Sequence, residues 1–139
     1  MAIRSGPDGT FNAKYTGATA LTGGEVLKWT AAGTVQISTA NTDKIAGFAL
    51  HACAIGSTTA QNIGIALIGS GLVVEGIASA AITVLDYVTV TTGGLLVTTT
   101  PKATYEASAV EWIIGVALEA AAAANDVISV QLIATSQSQ

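Results

Sequence analysis

Residues 21–33 read LTGGEVLKWTAAG, and residues 82–94, which lie 61 positions further along the chain, read ITVLDYVTVTTGG. Each stretch contains a turn that ends in an acid, Glu25 or Asp86, then a short apolar strand and a glycine-containing hairpin turn. A second strand follows each hairpin turn, TVQIS at 34–38 and LLVTT at 95–99. The same β-hairpin is therefore predicted twice in this chain.

The repeat resumes after both hairpins. Residues 46–52, AGFALHA, correspond to residues 114–120, IGVALEA, now at an offset of 68 because the second copy has a longer loop. A fourth strand follows in each copy, at 63–68 and 127–133, and one further strand at 72–76 crosses from the first unit to the second. Two copies are too few for a solenoid. We therefore expect two four-stranded units that face each other in a closed or nearly closed β-barrel, or in a sandwich.

The rest of the sequence also favours an all-β fold. Short apolar runs rich in Val, Ile and Thr recur, and the helix-like run at 119–124 is long enough for at most a turn or two. Residues 45–74 lack charged side chains and match a membrane span in length. The polar segment STTAQN at 57–62 and the glycines around it favour short strands with turns instead. We expect an all-β domain over residues 19–133 without membrane contact.

Both ends of the chain differ from the repeat. Residues 1–18 contain isolated aromatic residues, Phe11 and Tyr15, and two of the five basic residues. We interpret them as an extended N-terminal arm, with a disordered terminus as the alternative. The polar tail at 134–139 is expected to fray. The first residues include no apolar secretion signal, so we expect synthesis in the cytoplasm.

The composition restricts the classes of partner. The 139 residues are enough for one domain with a buried core. Only 10% of them are charged, against about 25% in an average globular protein, so the surface is covered by uncharged polar residues or by other protein. Five basic and nine acidic residues give a net charge of −4, which disfavours nucleic-acid binding.

One group of residues that could carry chemistry is His51 and Cys53. They are two positions apart on a predicted strand, so their side chains would share a face. A metal site needs at least a third ligand, and a nucleophile needs an orienting group. The equivalent residues in the second copy are Glu119 and Ala121. We therefore interpret the pair as structural.

The acids Glu25 and Asp86 are a second candidate because they occupy equivalent positions, and paired carboxylates can act as general acid and base. Carboxylates that accept backbone N–H groups in turns explain them better. The glycine clusters at 69–71 and 91–94 are not followed by helices, and they match hairpin turns rather than phosphate-binding loops. The sequence predicts no catalytic residue, no metal, no cofactor and no small-molecule substrate.

The two tryptophans, Trp29 and Trp112, are the largest apolar side chains on predicted strands. Filling of the core is one interpretation. Because aromatic residues are enriched at the centres of interfaces, packing of either against a neighbouring subunit is the other.

With the repeat in view, the chain resembles the capsid cement family of phage head decoration proteins, which is related in fold to the lambda head decoration protein. The matching elements are the paired turn-acid-strand segments at 21–29 and 82–90, and the Gly-x-Ala-Leu segments at 47–50 and 115–118 with the strands that follow. The resemblance covers residues 19–133 and is greatest over 114–132. Members commonly have Gly before the acid. Gly24-Glu25 fits this pattern and Leu85-Asp86 departs from it.

The resemblance implies a small β-barrel of the β-tulip kind and a homotrimer without enzymatic activity. It further implies that this trimer binds the major capsid protein on the outer surface of the mature virion head. An arm that docks across several subunits gives up conformational entropy, while three arms raise one another's effective concentration. We therefore expect capsid contacts from Arg4, Phe11, Lys14 and Tyr15 in the arm.

Two other classes of function remain as alternatives. A tail- or receptor-associated β-module that binds a surface ligand would more often carry fibrous repeats or clustered aromatic residues. An enzyme would need a cluster of reactive side chains, and the chain has only one His, one Cys and five basic residues from which to build it.

Overall fold

The computed structural model describes residues 9–54, 61–100 and 110–138. These form ten strands and one 3₁₀ turn, at Thr92–Gly94, which confirms the predicted all-β class. Among the described residues, no helix is long and apolar enough to cross a membrane. The strands are β1 (Thr10–Tyr15), β2 (Val26–Ala31), β3 (Thr34–Ile37), β4 (Ile45–Ala49), β5 (Gln61–Leu67), β6 (Val73–Ile77), β7 (Tyr87–Val90), β8 (Leu96–Thr99), β9 (Val110–Ala117) and β10 (Val127–Ser138).

The strands form two sheets. Their strand orders correspond when the closed first sheet is followed from β1 towards β5, which gives β1-β5-β4-β2-β3. The first unit, β1 to β5, is a closed barrel with the order β1-β3-β2-β4-β5, and the second unit, β6 to β10, is a sheet with the order β6-β10-β9-β7-β8. Strands β1 to β5 correspond in turn to β6 to β10, since β6 pairs antiparallel with β10 as β1 does with β5. The repeat is therefore five strands long. The predicted barrel is present, and the first unit alone forms it.

The hydrogen bonds of the turns show the same equivalence. The isolated bridges Leu21↔Cys53 and Ile82↔Ala121 occupy matching places. Gly24 N–H donates to Ala49 O at 2.7 Å, and Leu85 N–H donates to Ala117 O at 2.7 Å. Leu85, the residue that departs from the glycine pattern, has a φ of 72°, close to the 94° of Gly24. The second turn therefore keeps the left-handed geometry that Gly normally provides.

The boundary of the predicted N-terminal arm is corrected by β1. Strand β1 pairs with β5 from Thr10↔Ala66 to Tyr15↔Gln61, and it runs parallel to β3, so residues 10–15 belong to the barrel. The physical reason is an alternation that the sequence does contain: Phe11, Ala13 and Tyr15 face the interior, while residues 12 and 14 are exposed. The earlier residues of the arm, including Arg4, lie outside the described residues.

The polar tail also differs from the expectation. Residues 135–138 continue β10 and pair with β9, from Thr135↔Ile113 to Ser138↔Val110, after an irregularity in register that follows Leu132. Because β9 is eight residues long, it offers backbone hydrogen-bonding groups to the whole of this segment. Polar composition does not prevent a terminal segment from joining a ladder when a partner strand is available.

Each unit has its own buried core. The interior of the first unit is formed by residues of β1 to β5 and the adjoining turns: Ala13, Tyr15, Leu21, Leu27, Val35, Ala46, Ala49, Cys53, Ile63 and Ile65. The interior of the second unit contains their counterparts, such as Val88, Leu96 and Val130. It also contains residues from the first unit, Val26, Ile45, Phe48 and Ala66. The two units therefore share apolar packing.

The second unit differs from the first where its sheet would close. Strands β1 and β3 pair directly, at Lys14↔Thr34 and Tyr15↔Val35, whereas the end of β6 meets β8 through the bridge Ala78↔Leu96. The ring of Phe48 fills this part of the second unit. A Cβ atom at Gly76 would lie 2.5 Å from Leu96 Cδ1 and 3.0 Å from Phe48 Cε2. Gly76 therefore makes room for Phe48, which is 0% exposed.

Candidate interaction surfaces

His51 and Cys53 are not brought together. Strand β4 ends at Ala49, so the alternation that would have aligned the two side chains does not extend to them, and His51 is exposed while Cys53 is buried. His51 Nε2 accepts the N–H of Gly64 at 3.0 Å, and Cys53 Sγ donates to Gln61 Oε1 at 3.0 Å. No group of three His, Cys, Asp or Glu residues in the described part of the chain could hold a metal ion.

Glu119 takes the place of His51 in the second unit. Its Oε1 accepts the N–H of Ser129 at 3.2 Å, and the hydroxyl of Ser129 donates to the same carboxylate. Leu50 N–H donates to Gly64 O and Leu118 N–H donates to Ser129 O, so Gly64 and Ser129 are equivalent. An imidazole and a carboxylate therefore cap the same backbone position in the two units, which supports the structural interpretation of His51.

Glu25 and Asp86 accept backbone hydrogen bonds in their turns. Thr22 N–H donates to Glu25 Oε2 at 2.7 Å, and Thr83 N–H donates to Asp86 Oδ2 at 3.0 Å. Asp126 does the same for Ala122 N–H at 2.8 Å. These contacts confirm the interpretation of the paired acids as turn carboxylates.

Asp43 belongs to the same class of carboxylate. Partial burial alone would raise the pKa of Asp43. The opposite effect is larger in sum, so the pKa is lowered: it comes from hydrogen bonds donated by the N–H of Thr39, the hydroxyl of Ser38 and the N–H of Ala40, and from the nearby Lys28 ammonium. Lys28 Nζ lies 3.6 Å from Asp43 Oδ2. The carboxylate stays ionised and holds the turn that precedes β4.

A cleft of about 510 Å³ lies between the two units, and its lining includes Tyr15, Glu25, Ile77 and Asn125. The Tyr15 hydroxyl donates to Thr19 O at 2.5 Å, and Glu25 is engaged by Thr22. Burial raises the pKa of Tyr15, and Cys53 and Glu25 raise it further. Tyr15 and Glu25, the ionisable groups among the described residues that line the cleft, therefore both have hydrogen-bond partners within the fold.

The residues proposed for capsid contact occupy different environments. Lys14 is exposed on the outer wall of the barrel, and Tyr15 is 4% exposed and lies in its core. Phe11 is half-buried at one end of the barrel, where its ring meets Trp29 edge to face with centroids 5.6 Å apart. Among these three residues, Lys14 presents a freely accessible side chain. Tyr15 therefore does not present its side chain on the outer surface.

Both tryptophans are half-buried against the cores, Trp29 against that of the first unit and Trp112 against that of the second. The backbone N–H of Trp112 donates to the backbone carbonyl of Asn41 at 3.0 Å and so links the two units. Both positions fit the core interpretation. Their packing against a neighbouring subunit stays a prediction.

An exposed apolar surface that sequence reasoning missed lies on the second unit. We call it the β7–β9 face and define it as Val84, Leu85, Tyr87, Val116 and Leu118. Four of these side chains are well exposed, up to 68% for Leu85, and Tyr87 pairs directly with Val116 across the two strands. The sequence carried one signal for this surface, since Val84 and Leu85 stand where the first unit has Gly23 and Gly24. That Val26 and Phe48 are buried is visible only in the structure, and Leu50, the counterpart of Leu118, is also exposed.

Comparison with known proteins shows a likeness of fold. No protein-family model matches the chain, and no curated protein matches it. The structure is similar to the crystal structure of the head fiber gp8.5 N base in bacteriophage phi29, with a TM-score of 0.61 and 16% sequence identity. The match covers 88% of this chain and 92% of that chain. At this level of identity the two proteins share their fold along nearly their whole lengths.

Proposed function

We propose that this protein is a structural component of a bacteriophage head, which binds the outer surface of the mature capsid as a homotrimer and stabilises it. The observation that carries the proposal is the similarity of the whole fold to a phage head fiber base. The resemblance of the repeat segments to capsid cement proteins points to the same setting. The partner is the major capsid protein.

The physical character of the molecule suits this role. The two units share the Phe48 packing and so present their outer walls at fixed distances from each other. A rigid body loses little conformational entropy when it binds a repeating surface. It can also distinguish the mature arrangement of capsid subunits from an earlier one, because the spacing of its contacts does not adapt.

The low charge is consistent with binding through uncharged polar and apolar contacts. Only 10% of the residues are charged, and four of the acids, Glu25, Asp43, Asp86 and Asp126, hold turns. We therefore expect binding to heads to depend less on salt than binding between strongly charged partners does.

The experiment is co-sedimentation of the purified protein with empty heads that lack it. Expanded heads are compared with unexpanded heads of the same capsid protein, which serve as the matched control. We expect saturable binding to expanded heads alone, and a higher temperature of head disruption at full occupancy. Failure to bind expanded heads would contradict the proposal, and retention on a glycan surface under the same conditions would favour the receptor-associated alternative.

A further inference from the structure

The cleft between the two units contains a buried carboxylate with incomplete hydrogen bonding. Glu25 lines this cleft and is 6% exposed. Its Oε2 accepts the N–H of Thr22 at 2.7 Å, and the hydroxyl of Thr22 lies 3.4 Å from both carboxylate oxygens. A hydroxyl has one proton to donate, whereas a carboxylate offers about four acceptor sites. Within the described part of the chain, Oε1 therefore has at most one long hydrogen bond.

Two other turn carboxylates show what Glu25 lacks. Asp43, which is half-buried, accepts three hydrogen bonds of 3.0–3.1 Å and has the Lys28 ammonium at 3.6 Å. Asp86, the counterpart of Glu25, also has a backbone donor, but it is half-exposed and so open to water. Glu25 is more buried than either. Because buried charges in proteins are normally paired, a positive group is the partner that this carboxylate lacks.

The lining of the cleft narrows the class of ligand. Among the described residues that line it there is no Lys, Arg or His, which disfavours an anionic ligand. The one aromatic side chain among them, Tyr15, is 4% exposed and offers little ring surface on which a sugar or a nucleobase could stack. Glu25 is the one acid among them, which is poor provision for Ca²⁺ with its about six to eight oxygen ligands.

The remaining class of ligand is a cationic group on an apolar stem. The cleft of about 510 Å³ lies within the range of pockets that bind small ligands. Its wall includes three half-buried aliphatic side chains, Ile37, Ile77 and Leu95. Gln36 and Asn125 add amide groups, whose oxygens accept hydrogen bonds. Arginine and lysine pack their methylene stems on such walls while the charged end keeps polar partners.

We propose that the cleft between the two units binds a basic side chain, arginine or lysine, of the shell protein, and that Glu25 is the carboxylate that pairs with it. The inference rests on the proposed function for the source of the side chain, while the cation site itself is a property of the free protein. One ion pair inside a cleft is screened less by salt than exposed pairs are. It therefore agrees with the weak salt dependence expected for head binding.

The test on the free full-length protein compares blocked arginine, Nα-acetyl-arginine amide, with blocked citrulline, which has nearly the same shape without the charge. Backbone amide NMR spectra of the isotopically labelled protein are recorded while each compound is added. We expect saturable shifts at Thr22, Gly93 and Asn125 with blocked arginine and with blocked lysine, and none with blocked citrulline. Equal shifts with citrulline, or no saturable shift with either basic compound, would overturn the proposal.

Glu25→Gln is the decisive variant, because its amide oxygen can still accept the N–H of Thr22 while the charge is removed. Its affinity for blocked arginine should fall at least about tenfold. Asp86→Asn is the matched control, since it makes the same change in the equivalent turn, outside the cleft, and should bind as the wild type does. Equal losses in both variants would show a general attraction to an acidic protein and would refute the site. Should Glu25→Gln fail to fold, the comparison of arginine with citrulline on the wild type decides.

Head binding identifies the source of the side chain. Glu25→Gln should lower the affinity for expanded heads at least about tenfold, and Asp86→Asn should leave it unchanged. A protein that binds blocked arginine in the cleft but ignores expanded heads would refute the proposed function and leave the cation site standing. A protein that binds heads but not blocked arginine would refute the cation site alone. Undiminished head binding by Glu25→Gln would refute the shell protein as the source.

Discussion

At the scale of single residues, the contact between Gly76 and Phe48 decides how the two units fit together. The position equivalent to Gly76 in the first unit is Ala13, since Ala13 faces Ile63 on β5 as Gly76 faces Ile128 on β10. The first barrel accommodates that extra methyl group inside a closed wall. The second unit has no space for it, because the Phe48 ring and Leu96 occupy the place.

Gly76→Ala is therefore expected to lower the free energy of unfolding by about 1–3 kcal/mol, the usual cost of overfilling a packed core. Leu96→Val removes the atom that the new Cβ would approach most closely. The double variant should lose less than the sum of the two single changes, because the second substitution relieves the first. Urea denaturation measures all three values.

Gly64→Ala is the matched control for this prediction. Gly64 also lies within a strand, and a Cβ atom there would have His51 Nε2 as its nearest neighbour at 3.5 Å, an ordinary contact. We expect a change well below that of Gly76→Ala. Equal losses at the two glycines would show that a general property of strand glycines, and not the Phe48 contact, determines the cost.

At the scale of secondary-structure elements, strand β1 closes the first barrel by pairing with β5 on one side and β3 on the other. It contributes Ala13 and Tyr15 to the core. The strand follows immediately on the segment in which Arg4 was proposed as a capsid contact. The boundary between the two parts therefore decides how a truncation should be designed.

Deletion of residues 2–17 is expected to abolish cooperative unfolding, because it removes β1 and leaves β3 and β5 with unpaired edges and an open core. Deletion of residues 2–8 keeps β1 and should leave the thermal midpoint close to that of the full chain. If Arg4 contacts the capsid, the shorter deletion should also reduce the affinity for expanded heads. A folded protein after the longer deletion would contradict the role assigned to β1.

The elements differ in how well the sequence predicted them. Strands β2, β3, β4 and β5 and their counterparts were found because both copies carry the same spacing of turn, acid and apolar run. Strand β1 was missed because its counterpart β6 shares little sequence with it, TFNAKY against VVEGI. Its alternation of Phe11, Ala13 and Tyr15 was a local signal, but the equivalence of β1 and β6 becomes visible only from their pairing.

The candidate surfaces were less predictable than the strands. The β7–β9 face consists of ordinary strand residues, and Tyr87 looks no different in sequence from a core residue. Its exposure depends on which unit covers which, a long-range property that residue spacing does not determine. The turn roles of Glu25 and Asp86, in contrast, were predictable because a carboxylate that caps a turn acts within a few residues of its own position.

At the scale of the whole molecule, the shared core couples the stabilities of the two units. The second unit's interior includes Val26, Phe48 and Ala66 from the first, while the first unit's interior contains its own residues. The dependence is therefore one-sided. The interior of the second unit is completed by residues of the first, whereas the interior of the first unit is formed by its own residues and only its outer face is covered by the second.

Phe48→Ala is expected to separate the unfolding of the two units. In the wild type, Trp29 in the first unit and Trp112 in the second should report the same midpoint, as in a two-state transition. Removal of the Phe48 ring should cost about 3–5 kcal/mol and lower the Trp112 midpoint more than the Trp29 midpoint. Fluorescence of the single-tryptophan variants Trp29→Phe and Trp112→Phe, each with and without Phe48→Ala, measures this difference.

Ile37 provides the control for this test, because it is half-buried against the core of the first unit and lies outside the shared packing. Ile37→Ala should lower the Trp29 midpoint directly. Equal responses of both tryptophans to Phe48→Ala would contradict the one-sided dependence.

The opening between β6 and β8 has a consequence for the history of the chain. If the two units descend from one ancestral five-stranded module, the descendant that has Gly76 where the other has Ala13 gave up its self-sufficiency once the Phe48 ring had entered beside β6. A methyl group restored at position 76 would then collide with Leu96 and the Phe48 ring, so the change is difficult to reverse. In that case no single substitution at this contact restores the independent folding of the second unit.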